Sequence, residues 1–87
     1  MAELAGRTAL VTGGGTGIGF GIAQGLLEQG AAVTIAGRRE EVLKQAATRL
    51  VAAVPGADVR HSVCDITQEA QVEAAVAAAA RGGHLDI

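Results

Sequence analysis

The chain has no tryptophan, no tyrosine and no asparagine, and it holds one residue each of phenylalanine (Phe20), cysteine (Cys64), proline (Pro55), serine (Ser62) and lysine (Lys44). Without large aromatics the core must be packed from Ala, Val, Leu and Ile. A lone cysteine cannot form an internal disulfide, which points to a reducing, cytoplasmic setting. The formal charge is −2 and no basic block stands anywhere in the sequence, so there is no footing for nucleic acid. No apolar run approaches membrane-spanning length, and the opening MAELAGRTALV holds Glu3 early and no long apolar stretch of the secretory kind. His61 and His84 stand far apart without metal-ligand spacing, so no metal site is expected. Pro-rich hinges, low-complexity linkers and internal repeats are also missing.

What is present is apolar and rich in glycine. Hydrophobic residues make up 49% of 87 residues, and 13 are glycine. That is material for one small domain at most, with a marginal core. Thr8 to Gly21 reads TALVTGGGTGIGFG: a short apolar run, then five glycines between Gly13 and Gly19, after which apolar residues recur at helical spacing. Such a strand, tight turn and helix allow a ligand's phosphates to approach the backbone, because glycine removes the obstructing Cβ and the helix points unpaired N–H groups at the turn.

The remaining chain alternates in the same way. Ile18, Ile22, Ala23, Leu26 and Leu27 predict a first helix closed by Gly30, and Ala31 to Ala36 predicts a second strand that stops at Gly37. Glu40 to Val54 is the clearest helix, with Val42, Leu43, Ala46, Ala47, Leu50, Val51 and Val54 on one face and an outward Glu40–Lys44 pair. Pro55 and Gly56 end it. Asp58 to Cys64 predicts a third strand with Val59 and Val63 inward. Thr67 is placed to cap a helix from Gln68 to about Arg81 with Val72 and Val76 on its apolar side, and Leu85, Asp86 and Ile87 look like the start of a fourth strand. Short connections between alternating strands and helices imply an α/β fold, a doubly wound parallel sheet with helices on both faces. In such sheets ligands sit beyond the carboxyl ends of the strands, where the glycine turn, Gly37 to Arg39, and Cys64 to Asp65 all fall.

The glycine spacing is specific. Neither G-x-G-x-x-G nor the GxxxxGK[ST] loop is met, since Phe20 stands where the latter needs lysine. T-G-x-x-x-G-I-G is met, by Thr12, Gly13, Gly17, Ile18 and Gly19. With the helix ending in Gly30-Ala31, the basic residue after the second strand, CDIT around Asp65 and the closing LDI, this resembles the short-chain dehydrogenase/reductase family over essentially the whole chain.

The resemblance implies that residues 1–87 are the first half of a Rossmann-like NAD(P)-binding domain. It implies that Gly13, Gly17 and Gly19 form the turn beside the cofactor's pyrophosphate with Thr16 and Ile18 adjacent, and that Asp65 accepts from the adenine amino group with Ile66 against the ring. For Asp65 a plain helix-capping role is the other reading, and the two are compatible. The position that meets an NAD ribose 2′-hydroxyl with an acid instead reads Gly37, Arg38, Arg39, which favours NADP; a solvated Arg38 pairing Glu41 is the alternative.

The family transfers hydride to or from carbonyl, alcohol or enoyl substrates using Tyr-x-x-x-Lys with a Ser and an Asn. Here Tyr and Asn are absent, and Ser62 and Lys44 stand on the wrong elements, so no catalytic residue is assigned. Relatives usually form homodimers or homotetramers. Cys64 reads as a small buried hydrophobe, and Lys44 and Arg49 as a solvated helix face. The chain is thus expected to be the cofactor-binding front of an oxidoreductase cut as the fourth strand begins. A stand-alone nucleotide-binding module and a half-enzyme completed by another chain are the alternatives.

Overall fold

Among the described residues three strands and three helices alternate: β1 (Thr8–Thr12), α1 (Gly17–Glu28), β2 (Ala32–Gly37), α2 (Glu40–Ala53), β3 (Val59–Val63) and α3 (Glu69–Ala79). The structure is a computed structural model that describes residues 4–13, 17–65 and 68–79. The sheet is parallel with order β1-β2-β3; Thr8 pairs with Ala32, and Val33 pairs in turn with Val59. Elements fall within a residue or two of the ranges the sequence predicts. The expected fourth strand lies outside the described residues.

Alternation along the strands divides the core between two layers. Ala9 and Val11 of β1 and Val33 and Ile35 of β2 join Ala23 and Leu27 of α1 and Leu43, Ala46 and Leu50 of α2 in one buried cluster. On the opposite side Ala36 packs with Cys64 and Ala75 of α3, flanked by Leu10 and Val72. Helices therefore cover both faces, the doubly wound arrangement. β2 runs through the middle and is buried on both sides, which is why it is almost wholly apolar. Ile35, Leu43, Leu50 and Val33 are the largest apolar side chains fully withdrawn from water, each worth roughly 1.5–3 kcal/mol of burial.

Local chemistry sets the ends. Gly30 closes α1 at φ +93°, its N–H donating to the Leu27 carbonyl at 3.0 Å while Ala31 N–H donates to Leu26 at 3.1 Å, the paired bonds of a Schellman turn. The Glu40–Lys44 pair forms at 3.4 Å on the exposed side of α2. Phe20, the sole aromatic, is half-buried between α1 and α2, with the Arg49 guanidinium 4.5 Å above its ring.

Several apolar residues expected inside are outside. Ile18 is 84% exposed and Ile22 52%, because α1 presses on the sheet through Ala23 and Leu27 and no described element covers its other apolar flank. Val51 and Val63, each 47% exposed, lie at the margins of α2 and of the edge strand β3. On α3 the buried contact is Ala75, with Val72 partly covered and Val76 exposed. In each case the apolar stripe is wider than a three-stranded sheet can cover. α3 begins at Glu69, one residue later than expected, and Thr67, its expected cap, lies outside the described residues.

Candidate functional site

Parallel strands bring their carboxyl ends to one edge of the sheet, and there β1, β2 and β3 deliver Gly13, Gly37-Arg38-Arg39 and Cys64-Asp65 respectively. The first residues past β1 and β3 are both tied to the end of β2. Gly13 N–H donates to the Ala36 carbonyl at 2.8 Å, and Cys64 N–H donates to the Gly37 carbonyl at 2.7 Å.

Gly13 and Gly17 occupy the left-handed region, at φ +69° and +50°. Among the described residues a Cβ built on either would meet no atom within 4 Å beyond its chain neighbours. Internal packing therefore does not require glycine at these positions. The backbone conformation does, and the space beside both residues is open toward the start of α1. A helix start supplies N–H groups without intrahelical partners together with the positive end of the dipole, so this corner suits an anion. Gly19 is half-buried in the first turn of α1, while the exposed Ile18 side chain points away from the core. Thr16 and Ile66, both expected at the site, lie outside the described residues.

At the end of β2, Arg38 and Arg39 are both exposed, and neither forms an ion pair among the described residues. The alternative pairing of Arg38 with Glu41 is thus not formed. Arg39 is the N-cap of α2, in extended conformation (φ −110°, ψ 108°), and its side chain makes no capping hydrogen bond. Two cations and an uncapped helix start consequently share the second loop, with no acid at the end of the strand. Past β3, the half-buried Asp65 is held by its backbone: its N–H donates to Gln71 Oε1 at 2.8 Å and its carbonyl accepts from Gln68 N–H at 2.9 Å. Sequence reasoning missed Gln71. The signal available was a glutamine at the third position of a helix, where capping-box side chains reach backwards.

A cavity of about 650 Å³ among the described residues lies at the other end of the sheet, lined by Thr8, Ala32, Pro55 and Asp58 among others, and takes no part in this site. Cys64 is buried and His61 exposed on the edge strand, and among the described residues no three of His, Cys, Asp and Glu gather as a metal site. No helix among the described residues is long and apolar enough to cross a membrane.

Comparison with known proteins matches this arrangement. A family model described as short chain dehydrogenase matches residues 7–87. The rhamnolipids biosynthesis 3-oxoacyl-(acyl-carrier-protein) reductase of Pseudomonas aeruginosa is 62% identical over 50 residues, 58% of this chain and 20% of that protein. A short-chain type dehydrogenase/reductase from Mycobacterium ulcerans superposes with a TM-score of 0.88 at 44% identity, covering 95% of this chain and 31% of that one. The NADPH-bound structure of a short-chain oxidoreductase with an atypical catalytic center from Pseudomonas aeruginosa PAO1 gives 0.86 at 41% identity, covering 93% and 32%. The chain spans about a third or less of each of these relatives.

Proposed function

This chain belongs to the short-chain dehydrogenase/reductase family, and on that premise we propose that it forms the NADP-binding part of an oxidoreductase working in the cytoplasm. The reaction class is hydride transfer between NADP(H) and a carbonyl, alcohol or enoyl group. When bound, the dinucleotide supplies or takes up the hydride; the residues of this chain bind and orient it. In this reading residues 1–87 are the first part of a Rossmann-type domain.

Gly13 and Gly17, with Gly19 and the neighbouring Thr16 and Ile18, take the pyrophosphate at the start of α1. Arg38, with Arg39 beside it, takes the 2′-phosphate, for which guanidinium forks are suited. Asp65 accepts from the adenine amino group, with Ile66 against the ring. Lys44 is turned to solvent and paired with Glu40, and Ser62 sits on β3, so neither is given a part in proton transfer.

One observation carries the choice of cofactor: exposed Arg38 and Arg39 after Gly37, without an acid at the strand end, on the same edge of the sheet as the left-handed Gly13 and Gly17. The NADPH-bound relative supports the same choice. Titration of the chain and of Arg38→Ala with NADPH and NADH tests it, read by the fluorescence of the reduced nucleotide. Hydrogen bonds to a charged group are worth about 1.5–3 kcal/mol, so NADPH affinity should fall about tenfold to a hundredfold while NADH changes little. Equal losses for both nucleotides would overturn the assignment of Arg38.

A further inference from the structure

We propose that Gln71 is a positioning residue for the adenine end of the dinucleotide site, acting through the backbone of Asp65. The inference rests on the cofactor reading above and adds a residue that the glycine, arginine and aspartate positions do not include.

The sheet ladder ends one residue before Asp65, where Cys64 N–H donates to the Gly37 carbonyl. From there the backbone must turn into α3, and both backbone polar groups of Asp65 are taken up at the start of that helix, by Gln68 just before it and Gln71 in its first turn. Its carbonyl accepts from Gln68 N–H at 2.9 Å and its N–H donates to Gln71 Oε1 at 2.8 Å. Gln68 is the residue from which α3 springs, since its own carbonyl accepts from Gln71 N–H at 3.0 Å and Val72 N–H at 3.1 Å. Gln71 therefore stands at the position where a capping-box Glu or Gln usually returns to the N-cap N–H. Here the side chain reaches further, past the helix start to the strand end. α3 is itself seated through Ala75 and Val72 on Ala36 and Cys64. The position of a packed helix is thereby converted into the position of Asp65.

A carboxylate that selects an amino group needs such fixing, because a hydrogen bond weakens steeply once distance and angle depart from their narrow range. Only an acceptor is required of residue 71. A glutamate carboxylate can accept the same N–H, and a methionine of similar length and helix propensity cannot do so effectively.

The test uses the full chain with NADPH and with nicotinamide hypoxanthine dinucleotide phosphate in reduced form, whose base lacks the amino group that Asp65 would accept from. Binding is followed by nucleotide fluorescence, which is clean because the chain has no Trp or Tyr. The unsubstituted chain should prefer the adenine nucleotide by about tenfold, the scale of one hydrogen bond to a charged group. Gln71→Met should bring that preference to within about twofold while leaving the hypoxanthine affinity nearly unchanged, and Gln71→Glu should keep the preference, as expected of an acceptor role. A Gln71→Met chain that loses both nucleotides equally, or that melts lower with the preference intact, assigns Gln71 a structural role only and overturns the proposal. An unsubstituted chain that binds neither nucleotide, or does not distinguish them, instead overturns the cofactor reading or the assignment of Asp65, and this inference with it.

Discussion

Replacing the glycines around the start of α1 by alanine, one at a time, should change stability with opposite signs. Gly13 and Gly17 hold φ at +69° and +50°, where a Cβ crowds its own backbone at a cost of about 1–2 kcal/mol. Gly21 and Gly25 lie inside α1 outside that region, where alanine is better than glycine by about 0.8–1.0 kcal/mol. At none of the four would the new methyl meet an atom of another described element within 4 Å, so backbone conformation decides the sign. In a domain of this size 1 kcal/mol moves Tm by about 4–8 °C. Gly13→Ala or Gly17→Ala should then lower Tm by about 4–16 °C, and Gly21→Ala or Gly25→Ala should raise it by about 3–8 °C. Circular dichroism melts measure this. NADPH titration below the lowest Tm then separates strain from obstruction: Gly13→Ala should lose binding even where it is fully folded, since its methyl enters the open space beside the turn, while Gly21→Ala and Gly25→Ala should keep it. A Gly13→Ala chain that melts unchanged would refute the left-handed turn. One that melts lower yet binds NADPH as well as before would refute the anion site at this corner.

Leu27→Ala and Leu50→Ala should each cost about 2–5 kcal/mol in urea unfolding, since both side chains are buried in the α1–α2 layer, whereas Ile18→Ala should stay within about 0.5 kcal/mol. Equal losses at Leu27 and Ile18 would mean that α1 is rotated from the orientation described. The Arg49 guanidinium over Phe20 should give a coupling energy of about 0.5–1 kcal/mol in a double-mutant cycle of Phe20→Leu and Arg49→Met, and a coupling of zero would remove this contact between the helices.

The sequence makes the order of elements readable because each carries its own local signal. Glu40 to Ala53 shows an apolar face of helical period, Ala32 to Gly37 a doubly buried strand, and the short connections leave parallel crossovers as the solution. Gly13, Arg38 and Asp65 come to one edge for the same reason: strand ends converge whenever strands are parallel. What periodicity does not convey is the width of the surface a helix will meet. Ile18, Ile22, Val51 and Val76 repeat at core spacing and still face outward, because the described sheet is only three strands wide. Contacts between elements distant in sequence were equally hidden. Nothing local in α2 announces that Arg49 will lie over Phe20, and the reach of Gln71 depends on where the turn before α3 places Asp65.

Successive carbonyls of a strand point to opposite neighbours, and β2 uses this at its very end: Ala36 holds the glycine loop on one side and Gly37 holds the loop after β3 on the other. Gly13 and Cys64, the first residues past the outer strands, are thus bonded to one short stretch of backbone, so neither swings without straining its hydrogen bond to β2. Ordering a residue's backbone at the moment of binding costs about 1–2 kcal/mol of entropy. At Gly13 and Cys64 that cost is met in folding, and contacts to backbone held in this way express more of their energy as affinity.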